Sequence, residues 1–124
     1  MLSLFLQAYT ELIHCDSYIR RGDFARLYQR VRNCAGRKYA GSQSDVAQIC
    51  YAVDLASIWY WKEVLCLQRS AATACLLKRR GVPAQMVVGA QQIPFKAHAW
   101  VEVDGCVVND KPYTPEMYAV LDRC

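Results

Sequence analysis

Apolar residues in the first half of the chain recur at spacings of three and four, which is the period of an amphipathic helix. The first stripe consists of Leu2, Phe5, Tyr9 and Leu12, and the second of Phe24, Leu27, Tyr28, Val31 and Cys34. Gly22 ends the first segment, and Asp23 is placed to act as the N-cap of the second helix. A third helix is expected after a polar loop at 36–44, with Asp45 as its N-cap.

The pattern of the second half changes from helix to strand. Residues 66–80 are rich in small side chains and stop at Gly81 and Pro83, which predicts a helix that can pack closely on a sheet. Short strands are expected at 85–90, 97–103 and 106–110. Thr114 and Pro115 then predict a short terminal helix. The predicted fold class is α+β, with N-terminal helices followed by a small antiparallel sheet.

Length and composition narrow the class of protein. The chain has 124 residues, of which 54% are hydrophobic and 21% charged, and its net charge is +4. These values predict one domain over residues 1–124 and argue against intrinsic disorder. The arginines between positions 20 and 32 alternate with aliphatic residues, as on the solvated face of a helix. We therefore expect no nucleic-acid partner.

The seven cysteines have no obvious pairing scheme. Their number is odd, no CxxC pair occurs, and the N-terminus lacks the basic region of a secretory signal, which predicts free thiols in a reducing cytoplasm and no structural metal. The longest apolar stretch, near 49–61, contains Asp54 and is shorter than the roughly 20 residues that span a bilayer. No membrane segment and no cofactor are expected.

One combination of residues fits nucleophilic catalysis. His98 lies in an alternating strand that places it on the same face as Trp100 and Glu102, whereas His14 has no evident partner in the first helix. Cys66 begins the small-residue helix, and Asp110 ends the strand after that of His98. Cysteine catalysis needs a thiolate, an imidazole and a group that orients the imidazole. From the residues alone, two other interpretations stay open: that His98 has a structural role, and that these residue types occur together by chance.

The hairpin between the last two predicted strands tests this combination. A two-residue turn at Asp104 and Gly105 pairs Val103 with Cys106, and a continued ladder would then point His98 and Asp110 to opposite faces. A three-residue loop would put both on one face, with Gly105 in the left-handed conformation that such loops require. We therefore predict a bulge at Gly105, or another one-residue shift of register before Asp110.

Four strings of the sequence resemble the lasso peptide leader peptidases, which are cysteine proteins with a transglutaminase-like, papain-like core. The strings are CLQRS at 66–70, LLKRRG at 76–81, PFKAHAWVE at 94–102, and the segment from 104 to the ND at 109–110. The resemblance is strong over 59–110 and only general in the N-terminal helices. It implies that Cys66, His98 and Asp110 form the catalytic triad.

The resemblance also implies a reaction and partners. The enzyme would remove the leader from a precursor peptide and so expose the amine that a separate cyclase uses. Because the chain begins directly with a helix, we expect the split form, in which a separate recognition protein delivers the leader; the cyclase is a further candidate partner. The backbone amide of Cys66 would donate to the oxyanion, and the indole of Trp59 or Trp61 is a candidate second donor, with core packing or substrate contact as the alternatives. Acyl transfer by the same triad and a noncatalytic peptide-binding module stay open as rival functions.

Overall fold

The computed structural model describes residues 2–34, 43–92 and 94–124. The helices are α1 (Leu2–Arg20), α2 (Phe24–Asn33), α3 (Gln43–Trp59), α4 (Cys66–Arg79) and the short α5 (Thr114–Met117). The strands are β1 (Ala84–Gln92), β2 (Phe95–Val103), β3 (Cys106–Val107) and β4 (Ala119–Arg123). The α+β class predicted from the pattern is confirmed. None of the helices in the described ranges combines the length and apolar character needed to cross a bilayer.

The helix boundaries follow local capping signals to different degrees. Asp23 caps α2 as predicted, because its carboxylate accepts a hydrogen bond from the Arg26 amide at 3.3 Å. The predicted cap at Asp45 is wrong: α3 begins at Gln43, and Asp45 lies in its first turn. The helix dipole favours an acidic side chain in the first turn as well as at the cap, so residue type alone does not fix the boundary. Positions 36–42 of the predicted loop lie outside the described residues.

The buried face of α1 differs from the predicted stripe. Its buried apolar residues are Leu4, Ala8, Leu12 and Cys15. Of the predicted stripe, Leu12 is buried and Phe5 and Tyr9 pack partly against the core, whereas Leu2 is 72% exposed. Small side chains such as Ala8 count little in a hydrophobic pattern, yet they allow close contact between helices. Helix α4 lies at the centre of the fold, where every residue from Ser70 to Leu77 is buried. Its small side chains let it contact α1, α3, β1 and β2 together.

The strands form one antiparallel sheet in the order β3-β2-β1-β4. Met86 and Val101 lie on the face that joins the core with α4. Strand β4 was not predicted, because its residues are mostly exposed and show no clear alternation. The predicted terminal helix is reduced to the four residues of α5, and Tyr113 rather than Thr114 occupies its N-cap position.

The predicted bulge at Gly105 is wrong. Val103 pairs with Cys106, so the turn contains only Asp104 and Gly105. Both residues have positive φ, 52° and 78°, as a two-residue turn of the mirror-image type requires. Aspartate tolerates the left-handed region better than most residues, and Asp104 therefore allows the shorter turn.

Candidate active site

Cys66 is the first residue of α4, as the sequence predicted. The preceding Leu65 has an extended backbone and provides no side-chain cap. The amides of the first helical turn have no partner within the helix, and the dipole makes this end of α4 favourable for negative charge. The Cys66 side chain is partly exposed. A substrate atom that reaches this thiol also approaches the helix amides.

His98 and Asp110 are in direct contact. The Nε2 atom of His98 lies 2.5 Å from Oδ2 of Asp110, and the Lys111 amide donates to the other carboxylate oxygen at 2.8 Å. Partial burial alone would raise the pKa of Asp110, but the hydrogen bonds from His98 and Lys111 outweigh it and hold this pKa below its ordinary value. Asp110 is therefore a charged acceptor that fixes the orientation of the imidazole.

Asp110 reaches His98 because the strand ladder ends before it. The Val108 amide still donates to the Val101 carbonyl at 3.0 Å, but the Val101 amide donates to the side-chain Oδ1 of Asn109 at 2.7 Å. The Asn109 side chain thus takes the place of a backbone carbonyl, and the chain leaves the sheet. The register argument, by which a two-residue turn would point His98 and Asp110 to opposite faces, assumes a continuous ladder. It therefore does not apply to Asp110.

The start of α4 anchors the segment that carries Asp110. Asn109 donates from its side-chain amide to Ser70 Oγ at 3.1 Å, and Ser70 donates in turn to the Ala99 carbonyl at 3.1 Å. Arg69 donates to the Asn109 carbonyl at 3.3 Å. The sequence alone assigned no role to Ser70 or Asn109, although Asn109 precedes Asp110 directly and Ser70 lies one helical turn after Cys66. The network connects the helix of Cys66 to both His98 and Asp110.

The imidazole of His98 has an aromatic support. Trp100 is fully buried, and its ring centroid lies 6.1 Å from that of His98 and 5.9 Å from that of Tyr118. The indole donates to Glu102 at 2.8 Å, and Arg123 of β4 donates to the same carboxylate at 3.0 Å. On the face predicted for these residues, Trp100 and Glu102 are buried and His98 is partly buried, with Tyr118 and Arg123 packed against them.

Two cavities meet at Cys66. The first, of about 270 Å³, is mainly apolar and is lined by Phe24, Tyr28, Cys66, Leu67, Val88, Ala97, His98 and Ala99. The second, of about 510 Å³, is more polar and is lined by Asp54, Ser57, Ile58, Glu63, Val64, Cys66 and Arg69. Cys66 and His98 thus line the same cavity, and Cys66 also lines the second one.

Other candidate residues lie elsewhere. His14 is exposed on α1, but it is not without a partner, because its Nδ1 lies 3.0 Å from the Arg30 guanidinium. Trp59 and Trp61 are 70% and 68% exposed, so core packing is excluded for both. Over the described part of the chain, no three His, Cys, Asp or Glu side chains form a group that could hold a metal ion.

This arrangement agrees with the comparison of the chain with known families. Residues 10–123 match the model of the transglutaminase-like superfamily, and the chain belongs to that superfamily. Over 56 residues it is 39% identical to the microcin J25-processing protein McjB of Escherichia coli. The aligned segment covers 45% of this chain and 27% of the relative, so it spans about a quarter of the relative's length. No solved structure matches the chain.

Proposed function

We propose that this protein is a cysteine peptidase that removes the leader from a lasso peptide precursor. The membership of the superfamily, the peptide-processing name of the relative and the motif resemblance support this function. The observation that carries it is the contact of His98 with Asp110 beside a cavity that also includes Cys66. These three residues are the proposed catalytic triad.

The proposed mechanism follows from the two nitrogens of His98. With the proton of Nε2 directed at Asp110, the lone pair of Nδ1 accepts the proton of the Cys66 thiol. The thiolate attacks the scissile carbonyl, and the amide of Cys66 donates to the developing oxyanion. His98 then returns the proton to the leaving amine, and Asp110 stabilises the imidazolium meanwhile. Water hydrolyses the thioester and releases the leader.

The proposal includes three partners and a location. The precursor peptide is the substrate, and a separate recognition protein binds its leader. The cyclase that uses the released amine is a candidate partner at the next step. The reaction belongs in the cytoplasm, where the precursor is made and the Cys66 thiol is kept reduced.

A leader-cleavage assay tests the function. The precursor peptide is incubated with the protein and the recognition protein, and the products are identified by mass spectrometry. We expect release of the leader, and a loss of at least ~10³-fold in rate for Cys66→Ala. Cys106→Ala is the matched control, because Cys106 is an exposed thiol in β3 away from both cavities, and its rate should be unchanged.

Two outcomes would contradict the proposal. A gain of mass on the peptide without leader release would indicate acyl transfer. Leader release at the wild-type rate by Cys66→Ala would show that Cys66 is not the nucleophile and that the proposed triad is wrong.

A further inference from the structure

Two cysteines outside the candidate active site lie against each other. Cys34 follows α2 as its C-cap residue, and Cys75 lies in the middle of α4. Their sulfur atoms are 2.8 Å apart, which is only about 0.8 Å more than a disulfide bond. The residues are 41 positions apart in sequence, so helix packing rather than local geometry brings the sulfurs together.

The two thiols have different environments. Cys75 is fully buried, whereas Cys34 is partly exposed and lines an open cavity of about 490 Å³. The hydrogen bond between the two sulfurs lowers the pKa of Cys34, although burial opposes it. The same contact and burial raise the pKa of Cys75. Cys34 is therefore the thiol of the pair that a reactant in this cavity can reach, whereas Cys75 is shielded from solvent.

The cavity beside Cys34 is basic. Its lining consists of Tyr18, Arg26, Arg30, Asn33, Cys34 and Arg79. Arg30 and Arg79 share the single carboxylate of Glu11. Their two positive charges therefore exceed the negative charge of this partner, and the cavity favours a small anionic reactant.

We propose that Cys34 and Cys75 form a redox-active dithiol that reacts with an anionic low-molecular-weight disulfide of the glutathione type. The Cys34 thiolate attacks one sulfur of the small disulfide, whose S–S bond breaks and releases one thiolate. The resulting mixed disulfide is attacked by Cys75, which gives up its proton to the solvent, and the second small thiolate leaves. The protein loses two electrons and two protons, and the small disulfide becomes two thiols.

The bond would connect the candidate active site to the redox state of the cell. It would link the end of α2 to α4. Helix α2 contributes Phe24 and Tyr28 to the cavity at Cys66, and α4 begins with Cys66 itself. Oxidation would therefore fix one wall of that cavity to the helix that carries the candidate nucleophile. The dithiol does not depend on the proposed peptidase activity.

Thiol counting and peptide mapping test the proposal on the full chain. The reduced protein is incubated with glutathione disulfide, blocked with an alkylating agent, denatured and digested without reductant. We expect the seven titratable thiols to fall by two and a linked peptide to join Cys34 to Cys75. The melting temperature should rise by roughly 10 °C and return after reduction, since the cross-link restricts the unfolded chain.

Variants distinguish the proposed role of Cys34, which attacks the small disulfide, from that of Cys75, which attacks the mixed disulfide. Cys75→Ser should accumulate one glutathione on Cys34, whereas Cys34→Ser should form neither product. Cys106→Ser is the control, because Cys106 is exposed in β3 and its removal should leave the Cys34–Cys75 bond unchanged. The wild-type peptide map identifies the pairing even if one of the buried-site variants does not fold.

Salt tests the role of the arginines. Higher ionic strength should slow oxidation by glutathione disulfide several-fold but not oxidation by the neutral 2-hydroxyethyl disulfide. Equal salt dependence would overturn recruitment by the basic cavity. Seven free thiols after exposure to glutathione disulfide, a linked peptide that joins other cysteines, or no trapped glutathione in folded Cys75→Ser would overturn the dithiol itself.

Discussion

At the scale of single residues, Asp110 is the position that depends most strictly on its residue type, because both of its carboxylate oxygens accept hydrogen bonds. One accepts from His98 and the other from the Lys111 amide. In Asp110→Asn only one acceptor oxygen is left, and an amide that faced Nε2 would favour the histidine tautomer that cannot accept the Cys66 proton. We predict a loss of about 10²–10⁴-fold in kcat/KM for leader cleavage, with the fold retained.

The control for this prediction is Asp104→Asn in the turn, where asparagine also tolerates a positive φ. Its cleavage rate should match that of the wild type. The lowered pKa of Asp110 also sets a pH dependence: its charge is present above the ordinary carboxyl pKa of about 4 and is lost only as the pH falls through its lower folded value. Protonation of Asp110 should therefore limit the wild-type cleavage rate only below about pH 4, and a rate that falls with protonation of Asp110 above this pH would contradict the assigned role.

The candidate catalytic residues could be chosen from the sequence, but the contacts that surround them could not be predicted from it. A single Cys, His and Asp in motif context could be singled out, because chemistry restricts which side chains serve as nucleophile and base. The contact of Cys34 with Cys75 could not, since it depends on how α2 packs on α4. No motif in the sequence singles out Cys34, although this contact lowers the pKa of its thiol.

At the scale of elements, strand alternation correctly predicted the faces of β2 but not where β3 stops. Register arguments assume a continuous ladder, and the ladder of β2 with β3 has only two residue pairs. A side chain, that of Asn109, then replaces the backbone as acceptor for Val101. Such a replacement leaves no periodic signal, which is why the predicted bulge was wrong although the contact it was meant to explain is present.

Strand β1 requires a residue without a Cβ atom at Gly89, which pairs with His98. A Cβ atom there would lie 2.9 Å from the Trp100 ring, 2.9 Å from Tyr118 Cβ and 3.0 Å from the Ala119 carbonyl oxygen. Because a backbone atom and a buried ring must both move, we predict that Gly89→Ala destabilises the protein by about 1–3 kcal/mol. Urea unfolding measures this change.

The same substitution should also lower leader cleavage under conditions where the protein stays folded, because Trp100 and Tyr118 support the His98 ring. Gln85→Ala, an exposed position on the same strand, is the control and should change the stability by less than about 0.5 kcal/mol. A Gly89→Ala protein as stable as this control would show that the two rings are not tightly packed on the strand.

At the scale of the whole molecule, Glu11 joins three helices. This buried carboxylate of α1 accepts two hydrogen bonds from Arg30 of α2, at 2.9 and 3.1 Å, and one from Arg79 of α4 at 2.9 Å. The partners are 19 and 68 positions away. From the sequence, Arg30 was assigned to a solvated helix face, because spacing along one helix carries no information about a carboxylate supplied by another.

Replacement of this carboxylate should therefore weaken the packing of all three helices. Burial alone would raise the pKa of Glu11, but its contacts with Arg30 and Arg79 outweigh burial and lower it. We predict that Glu11→Gln lowers the free energy of unfolding by about 2–3 kcal/mol near neutral pH, because a neutral amide leaves two guanidinium groups without their charged partner. Glu116→Gln, an exposed position in α5, is the control and should change it by less than about 0.5 kcal/mol.

The pH dependence gives a second measurement of the same contact. Since the folded pKa of Glu11 is lower than the unfolded one, its contribution is complete above the ordinary value of 4.5 and disappears as the pH falls through the folded value. The difference in unfolding free energy between wild type and Glu11→Gln should therefore be constant above about pH 5.5 and shrink at more acidic pH. A difference that stays constant down to pH values where the protein unfolds would mean that lost packing, rather than the charge of Glu11, destabilises the variant.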